Sequence, residues 1–402
     1  MRRISICCVR IFFGIVFLHS LRFLHAQETG AFVENIVGNI NEQFDLEDFY
    51  ALDGELDVIV ESIMEALTEQ EKISQMVVTY CNPEGNPSNV VVDLIERKST
   101  GGVIFFEKSN VEILNLTQLF TETARKTLSV LLPLYALDGE PSFVWSRLGP
   151  TEIAVSASRI ETENEAQRVA EVIAGMLRQI GIHVNYAPVC DISLNKDIIG
   201  SRSFGSNVAK VTKLSVAFIE STQHAGIVAT AKHFPGHGSV RGDTHKELIF
   251  IDGEPPELEI FRDVIARGVI SIMVGHIAIR NHTLYDTNGI PSTLSRDIVT
   301  GLLKKDLGFR GIVVTDAMRM NAVRSFSKPA IEAARAGCDM ILMPQDEPLF
   351  IQMVLEEIEK DDDFRRQIMD SVRKIVRLKV CLGLVNEGGF QSMYARPEST
   401  KM

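Results

Sequence analysis

Short β-rich apolar runs recur along this chain: SQMVVTY (74–80), GGVIFF (101–106), SVLLPLYAL (129–137), HVNYAPV (183–189), IVATAKHF (227–234), ISIMVGHI (270–277), GIVVTD (311–316) and DMILMP (339–344). Stretches of helical length separate them. Eight strands alternating with helices point to a parallel α/β architecture, because a parallel neighbour is reached only through a crossover, and that crossover is usually a helix. The intervening segments carry the helical period. NEAQRVAEVIAGMLRQIG (164–181) places Val169, Val172, Ile173, Met176 and Leu177 on one face. VAKVTKLSVAFIESTQHAG and PPELEIFRDVIARG behave alike, and Gly181, Gly226, Gly268 and Gly308 stand where helices stop.

Two parallel architectures compete: a closed (β/α)8 barrel of TIM type and a doubly wound open sheet. The open sheet usually shows a Gly-rich phosphate turn after its first strand. Here SQMVVTY runs into CNPEGNPSN, which contains no such turn. The expectation is a single (β/α)8 TIM-type barrel over residues 61–385, with C-terminal outer helices built from FRRQIMDSVRKIVRLKVCLG. Residues 27–60, acidic and weakly periodic, are expected as an N-terminal arm. Residues 386–402 are expected as a polar tail with no second folded domain.

Residues 1–26 differ in kind. Arg2 and Arg3 precede the mostly apolar ISICCVRIFFGIVFLHSL, and LHA ends at Ala26 as a small-residue cleavage site would. This reads as a secretory signal peptide, which predicts an exported chain, periplasmic or extracellular, and membrane-anchored if the segment is retained. The net charge of −12 argues against nucleic acid or an anionic membrane as main partner. Cys190 and Cys338 fall within apolar, strand-like runs and no CxxC is present, so free thiols and no metal are expected.

In a parallel barrel, chemistry gathers just after the strands. There the chain places Asp138 and Glu140, then Asp191, Arg202 in IGSRSFGS, Lys232 and His233, a loop with His237, Asp243 and His245, His276, and Asp316. The pentapeptide ALDGE occurs at 51–55 and at 136–140, and only the second copy follows an apolar strand. A zinc pair is disfavoured at His233 and His237, because Pro235 and Gly236 between them deny the pair a helical face. Asp243-Thr244-His245 suits acid/base work: a carboxylate against one imidazole nitrogen fixes the tautomer and raises the basicity of the other. A solvated loop with a local Asp–His contact fits that spacing as well. Asp316 ends a β-branched run, and a fixed carboxylate facing a proton donor suits displacement at a sugar anomeric carbon.

KHFPGHG, four residues, then DTH closely resembles the signature of family 3 glycoside hydrolases in the single-barrel β-N-acetylglucosaminidase branch. LTEQEKISQM, HVNYAPVCDI, IGSRSFG, TLSRDIVTGLLKKDLGFRGIVVTDAM, AGCDMILMP and SVRKIVRLKVCLGL follow in family order over residues 64–384. The resemblance implies a retaining exo-glycosidase that removes terminal β-N-acetylglucosamine from peptidoglycan or chitin fragments. It implies Asp316 as nucleophile, His245 as general acid/base with Asp243 as its partner, and no metal or organic cofactor. Asp138, Arg202, Lys232 and His233 would hold the sugar hydroxyls. Relatives of the β-glucosidase branch take their acid/base carboxylate from a second domain; none is expected here, so the histidine loop would supply the proton. The chain departs from the family at LDGEPSFV, where Phe143 stands in place of the usual arginine, and at Thr315-Asp316-Ala317, which keeps the nucleophile and loses an acidic neighbour. A β-glucosidase and a non-catalytic sugar-binding barrel are the alternatives.

Overall fold

The computed structural model describes residues 40–106, 109–149, 154–196, 198–240, 243–244 and 246–394. Each of the eight expected runs contributes a strand. These are β1 (Val77–Cys81), β2 (Gly102–Phe105), β3 (Leu134–Leu137), β4 (Val184–Asn185), β5 (Val228–Phe234), β7 (Ser271–Val274), β9 (Ile312–Thr315) and β10 (Ile341–Leu342). They form one parallel sheet in the order β10-β1-β2-β3-β4-β5-β7-β9. A parallel bridge between Val314 and Met340, with the Thr315 amide donating to the Met340 carbonyl at 3.1 Å, brings the last strand against the first. The sheet is a (β/α)8 barrel of TIM type. Its strands are buried on both faces, which is why they read as apolar runs and not as alternating patterns.

The helical expectations hold in outline. Helix Glu163–Gln179 is capped by Thr162 and buries Val169, Ile173 and Leu177, but alanines 166, 170 and 174 complete the face, while Val172 and Met176 are half-buried. Gly181, Gly226, Gly268 and Gly308 all take positive φ, the left-handed conformation that ends a helix cheaply only with glycine. The first ALDGE copy is a helix start: Asp53 accepts hydrogen bonds from the Glu55 and Leu56 amides and caps Gly54–Ala66.

Three segments carry structure that the pattern did not specify. Residues 40–60, within the expected N-terminal arm, are ordered against the barrel. They pack on the outer helix Asp362–Cys381, bury Ile40, Phe49, Leu56 and Ile59, and are pinned by Arg377, which donates to the carbonyls of Phe49 and Ala51. The polar tail is helical over Glu387–Tyr394, with Phe390 buried and Asn386 donating to the Ser129 carbonyl at 2.7 Å. Finally, β6 (Ile249–Asp252) and β8 (Ile277–Arg280), unforeseen as strands, form a small parallel sheet beside the barrel mouth. Residues 1–26 lie outside the described residues. Among those described, no helix is long and apolar enough to cross a membrane.

Candidate active site

The second ALDGE copy carries Asp138 and Glu140 off the end of β3, and β5 delivers Lys232 from its buried face. Lys232 Nζ lies 2.7 Å from Asp138 Oδ1 and 2.7 Å from Glu140 Oε1. Arg202, in the loop after β4, grips Glu140 with both prongs: Nε to Oε2 at 2.9 Å and Nη2 to Oε1 at 2.7 Å. Burial alone would neutralise these groups, but each answers the other's charge. Glu140 resists its burial because the Lys232 and Arg202 charges hold its carboxyl far below the usual range. Lys232 is likewise buried, and the Asp138 and Glu140 carboxylates push its ammonium up. Glu140, Lys232 and Arg202 stay ionised at neutral pH, and with Asp138 they make a set of fixed donors and acceptors suited to sugar hydroxyls.

Next along the mouth, Asp191 is fully buried after β4 and organises the turn that follows β5. Its Oδ2 is 2.6 Å from His233 Nδ1, and its Oδ1 accepts the His237 amide at 2.6 Å. The carboxylate fixes one nitrogen of His233 and leaves the other for the cavity that the residue lines. His237 Nε2 lies 3.2 Å from Thr244 Oγ1, tying the turn to the residue between Asp243 and His245. Burial drives the His237 imidazole towards its neutral form. Beneath this turn sits Glu257, at 0% exposure. Its Oε1 accepts the Gly238 amide at 3.0 Å, and burial with the nearby Asp191 charge raises its carboxyl to about 7.

Asp316 stands at the end of β9. Its amide donates to the Val274 carbonyl at 2.9 Å, and its Oδ1 accepts the Ala317 amide at 2.8 Å. His276, buried, has Nε2 at 3.0 Å from the Ala317 carbonyl and Nδ1 at 2.8 Å from Thr293 Oγ1, so the imidazole braces the turn behind the carboxylate.

One cavity of about 630 Å³ collects Asp138, Arg202, Lys232, His233 and Asp316 from the C-terminal ends of four different strands and the loops after them. Thr244 lines it too. Asp243 is not in the lining; its side chain is 3.6 Å from Lys246 Nζ. His245 lies outside the described residues. Glu140, Asp191 and His276 stood among the strand-end polar residues, but no sequence signal separated them from helix caps. Glu257 was missed altogether. Among the described residues, no three His, Cys, Asp or Glu side chains converge as metal ligands.

A closed parallel barrel whose strand ends pool carboxylates, cations and imidazoles around one cavity has the architecture of a barrel enzyme, with its site at the C-terminal ends of the strands, and comparison with known proteins gives the family. Residues 68–378 match the glycosyl hydrolase family 3 N-terminal domain, and the chain belongs to that family. It is 31% identical over 328 residues to beta-hexosaminidase A of Pseudoalteromonas piscicida, covering 72% of this chain and 55% of that protein. It is 30% identical over 273 residues to a beta-hexosaminidase of Idiomarina loihiensis, covering 65% of this chain and 81% of the relative. Among solved structures, a family 3 beta-N-acetylglucosaminidase from Paenibacillus sp. superposes with a TM-score of 0.69 at 28% identity, over 84% of this chain and 65% of that one. A beta-glucoside phosphorylase superposes with a TM-score of 0.73 at 21% identity, over 83% and 62%, a likeness of fold.

Proposed function

We propose that the chain is a retaining exo-glycosidase that hydrolyses terminal β-N-acetylglucosamine residues. The observation that carries this reading is the convergence of Asp316 and the Lys232–Asp138–Glu140–Arg202 network on one cavity. The hexosaminidase names of its relatives supply the sugar. In the first step the Asp316 carboxylate attacks the anomeric carbon while His245, partnered by Asp243, gives its proton to the departing glycosidic oxygen. A glycosyl ester on Asp316 results. In the second step His245 takes a proton from water, water attacks the same carbon, and Asp316 leaves, so the configuration is retained. Lys232, Arg202, Asp138 and His233 hold the sugar hydroxyls. The chemistry needs no metal or organic cofactor. Given the signal-like residues 1–26, the reading places the enzyme outside the cytoplasm, acting on peptidoglycan or chitin fragments.

The test is Asp316→Asn on p-nitrophenyl β-N-acetylglucosaminide. The amide keeps the shape and removes the nucleophile, so turnover falls by at least about 10³-fold with the melting temperature unchanged. Full activity in the variant refutes the assignment. Rates on the matching β-glucoside decide between hexosaminidase and β-glucosidase, and sugar binding with no hydrolysis of either substrate would mark a non-catalytic barrel.

A further inference from the structure

Glu257 stands at the N-cap of helix Leu258–Ala266, yet its side chain makes no capping bond to that helix. It turns inward instead, with no exposed surface, into the seam between the turn after β5 and the segment after β4. Backbone closes this seam. The Asn195 amide donates to the Gly238 carbonyl at 2.6 Å, and Gly238 packs so tightly on Ile192 that a Cβ there would meet the Ile192 carbonyl. Glu257 Oε1 accepts the Gly238 amide at 3.0 Å, and the Ile192 amide also faces the carboxyl. Its Oε2 lies beneath Gly236, 2.5 Å from where a Cβ would stand, an approach that only glycine permits. One carboxyl therefore touches both sides of the seam.

The two carboxyl oxygens have unequal surroundings. Among the described residues Oε2 is buried without a hydrogen-bond partner, while Oε1 takes the Gly238 amide. A carboxylate draws donors to both oxygens; a neutral acid needs them at its carbonyl oxygen only. Charge points the same way. Asp191 is buried in the same seam, with its charge answered by His233 and His237, and two acids sharing a buried site do not both ionise. No lysine or arginine among the described residues pairs with Glu257. On its own helix Glu259, Arg262 and Asp263 are exposed, and Arg267 at the far end faces Glu220 of the neighbouring helix Val208–His224. Burial and the Asp191 charge raise the Glu257 carboxyl to about 7, so it holds its proton in mild acid and loses it in mild base.

The turn that Glu257 touches also supports the reacting groups. His237, between Gly236 and Gly238, gives its amide to Asp191, and its Nε2 lies 3.2 Å from Thr244 Oγ1. Thr244 lines the cavity and stands in sequence between Asp243 and His245. We propose that Glu257 is a positioning residue for the acid/base pair: as the neutral acid it pins the Gly236–Gly238 turn to the segment after β4, and its ionisation beside Asp191 loosens that turn and with it the Thr244 contact. This rests on the glycosidase reading, in which His245 moves the proton and Asp243 orients it.

Hydrogen exchange of the peptide spanning the Gly236–Gly238 turn tests it, on the full chain without substrate, at about pH 6 and about pH 8.5 with exchange times matched to the intrinsic rates. The native turn loses at least about tenfold of its protection at the higher pH. Glu257→Gln keeps the shape of the neutral acid and does not titrate, so its turn stays within about twofold across the same range. Turnover of p-nitrophenyl β-N-acetylglucosaminide gives the second reading. Glu257→Leu removes the acceptor for the Gly238 amide and lowers kcat about 30-fold at about pH 6, with KM within about threefold; the glutamine variant recovers most of that rate and keeps it further into base than the native chain does. A native turn equally protected at both pH values, a glutamine variant with the native pH dependence, or a leucine variant with native kcat overturns the proposal. If the glutamine variant does not fold, the leucine variant decides: a turn open at both pH values supports the proposal, and one released by base as in the native chain overturns it. Exchange is read without turnover, so a pH-sensitive turn in a chain that hydrolyses no sugar refutes the glycosidase reading and leaves the hold of Glu257 on the turn standing.

Discussion

Replacing Glu140 by glutamine changes one oxygen to an NH2 group and leaves the shape of the side chain in place. The carboxylate is 2% exposed and takes three charge-assisted contacts, at 2.9 and 2.7 Å from Arg202 and at 2.7 Å from Lys232. The amide keeps one acceptor and turns a donor towards a buried cation. Breaking a buried pair from one side costs about 3–5 kcal/mol. Because Lys232 keeps Asp138 at 2.7 Å, the lower figure applies, about 3 kcal/mol. For a folded unit of this length that lowers Tm by about 4 °C. The loss depends on pH with a definite sign. Despite burial, the Lys232 and Arg202 charges hold the Glu140 carboxyl below its unfolded value. Its stabilisation is therefore present above the unfolded carboxylate range, about pH 4.3, and disappears as pH falls through the lowered folded value. Glutamine has no such dependence, so the gap between the two proteins is widest above about pH 5 and closes in strong acid. With Arg202 released and Lys232 held by Asp138 alone, kcat/KM on the aryl N-acetylglucosaminide falls about 100-fold. Urea unfolding at several pH values, with steady-state kinetics, reads both effects. A variant within about 0.5 kcal/mol of the native protein at neutral pH, with unchanged kcat/KM, refutes the claim that this network organises the site.

Three further outcomes follow from the same structure. Glu257 has its carboxyl raised to about 7 by burial and the Asp191 charge, so the native chain binds its proton more readily than the unfolded chain. Its contribution is full below about pH 4.3 and is lost as pH rises through 7; Glu257→Gln removes this decline, of up to about 3 kcal/mol, in urea titrations across that window. A methyl group on Gly238 would sit 1.8 Å from the Ile192 carbonyl oxygen, a backbone atom that cannot rotate away, so Gly238→Ala yields protein with collapsed activity and a Tm at least about 5 °C lower by calorimetry. Phe390→Ala empties a buried site under the last helix and costs about 3 kcal/mol in urea unfolding, while kcat stays within twofold because no residue of that helix lines the cavity.

The barrel was legible because parallel strands buried on both faces leave continuous apolar runs, and because the glycine stops between helices need a backbone conformation that few other residues accept. Residues 40–60 were less legible. Their order comes from Arg377, more than 300 residues away, whose guanidinium collects their carbonyls, and main-chain acceptors leave no trace in side-chain pattern. The last helix was hidden for a related reason: EGGFQSMY is anchored by the deeply buried Phe390 and contains two glycines that argue against a helix. At the site, residues at strand ends could be named individually, since barrel topology brings strand ends together. Their division of labour could not. Asp191 works on a ring and an amide more than 40 residues on. Glu257, in PPELE, reads as an ordinary exposed acid until the fold places it beneath Gly236 and Gly238.

The central claim is that Asp316 forms a covalent bond to the sugar, and mass spectrometry of the trapped intermediate tests it most directly. Protein lacking residues 1–26 is mixed with a ring-fluorinated N-acetylglucosaminyl fluoride, which forms the glycosyl-enzyme faster than water resolves it, then quenched and digested. The account predicts one added glycosyl group per chain, on the peptide from β9 that contains Asp316, and none in Asp316→Asn. A label on another residue, or rapid turnover of the fluoride with no covalent species at any time, contradicts it.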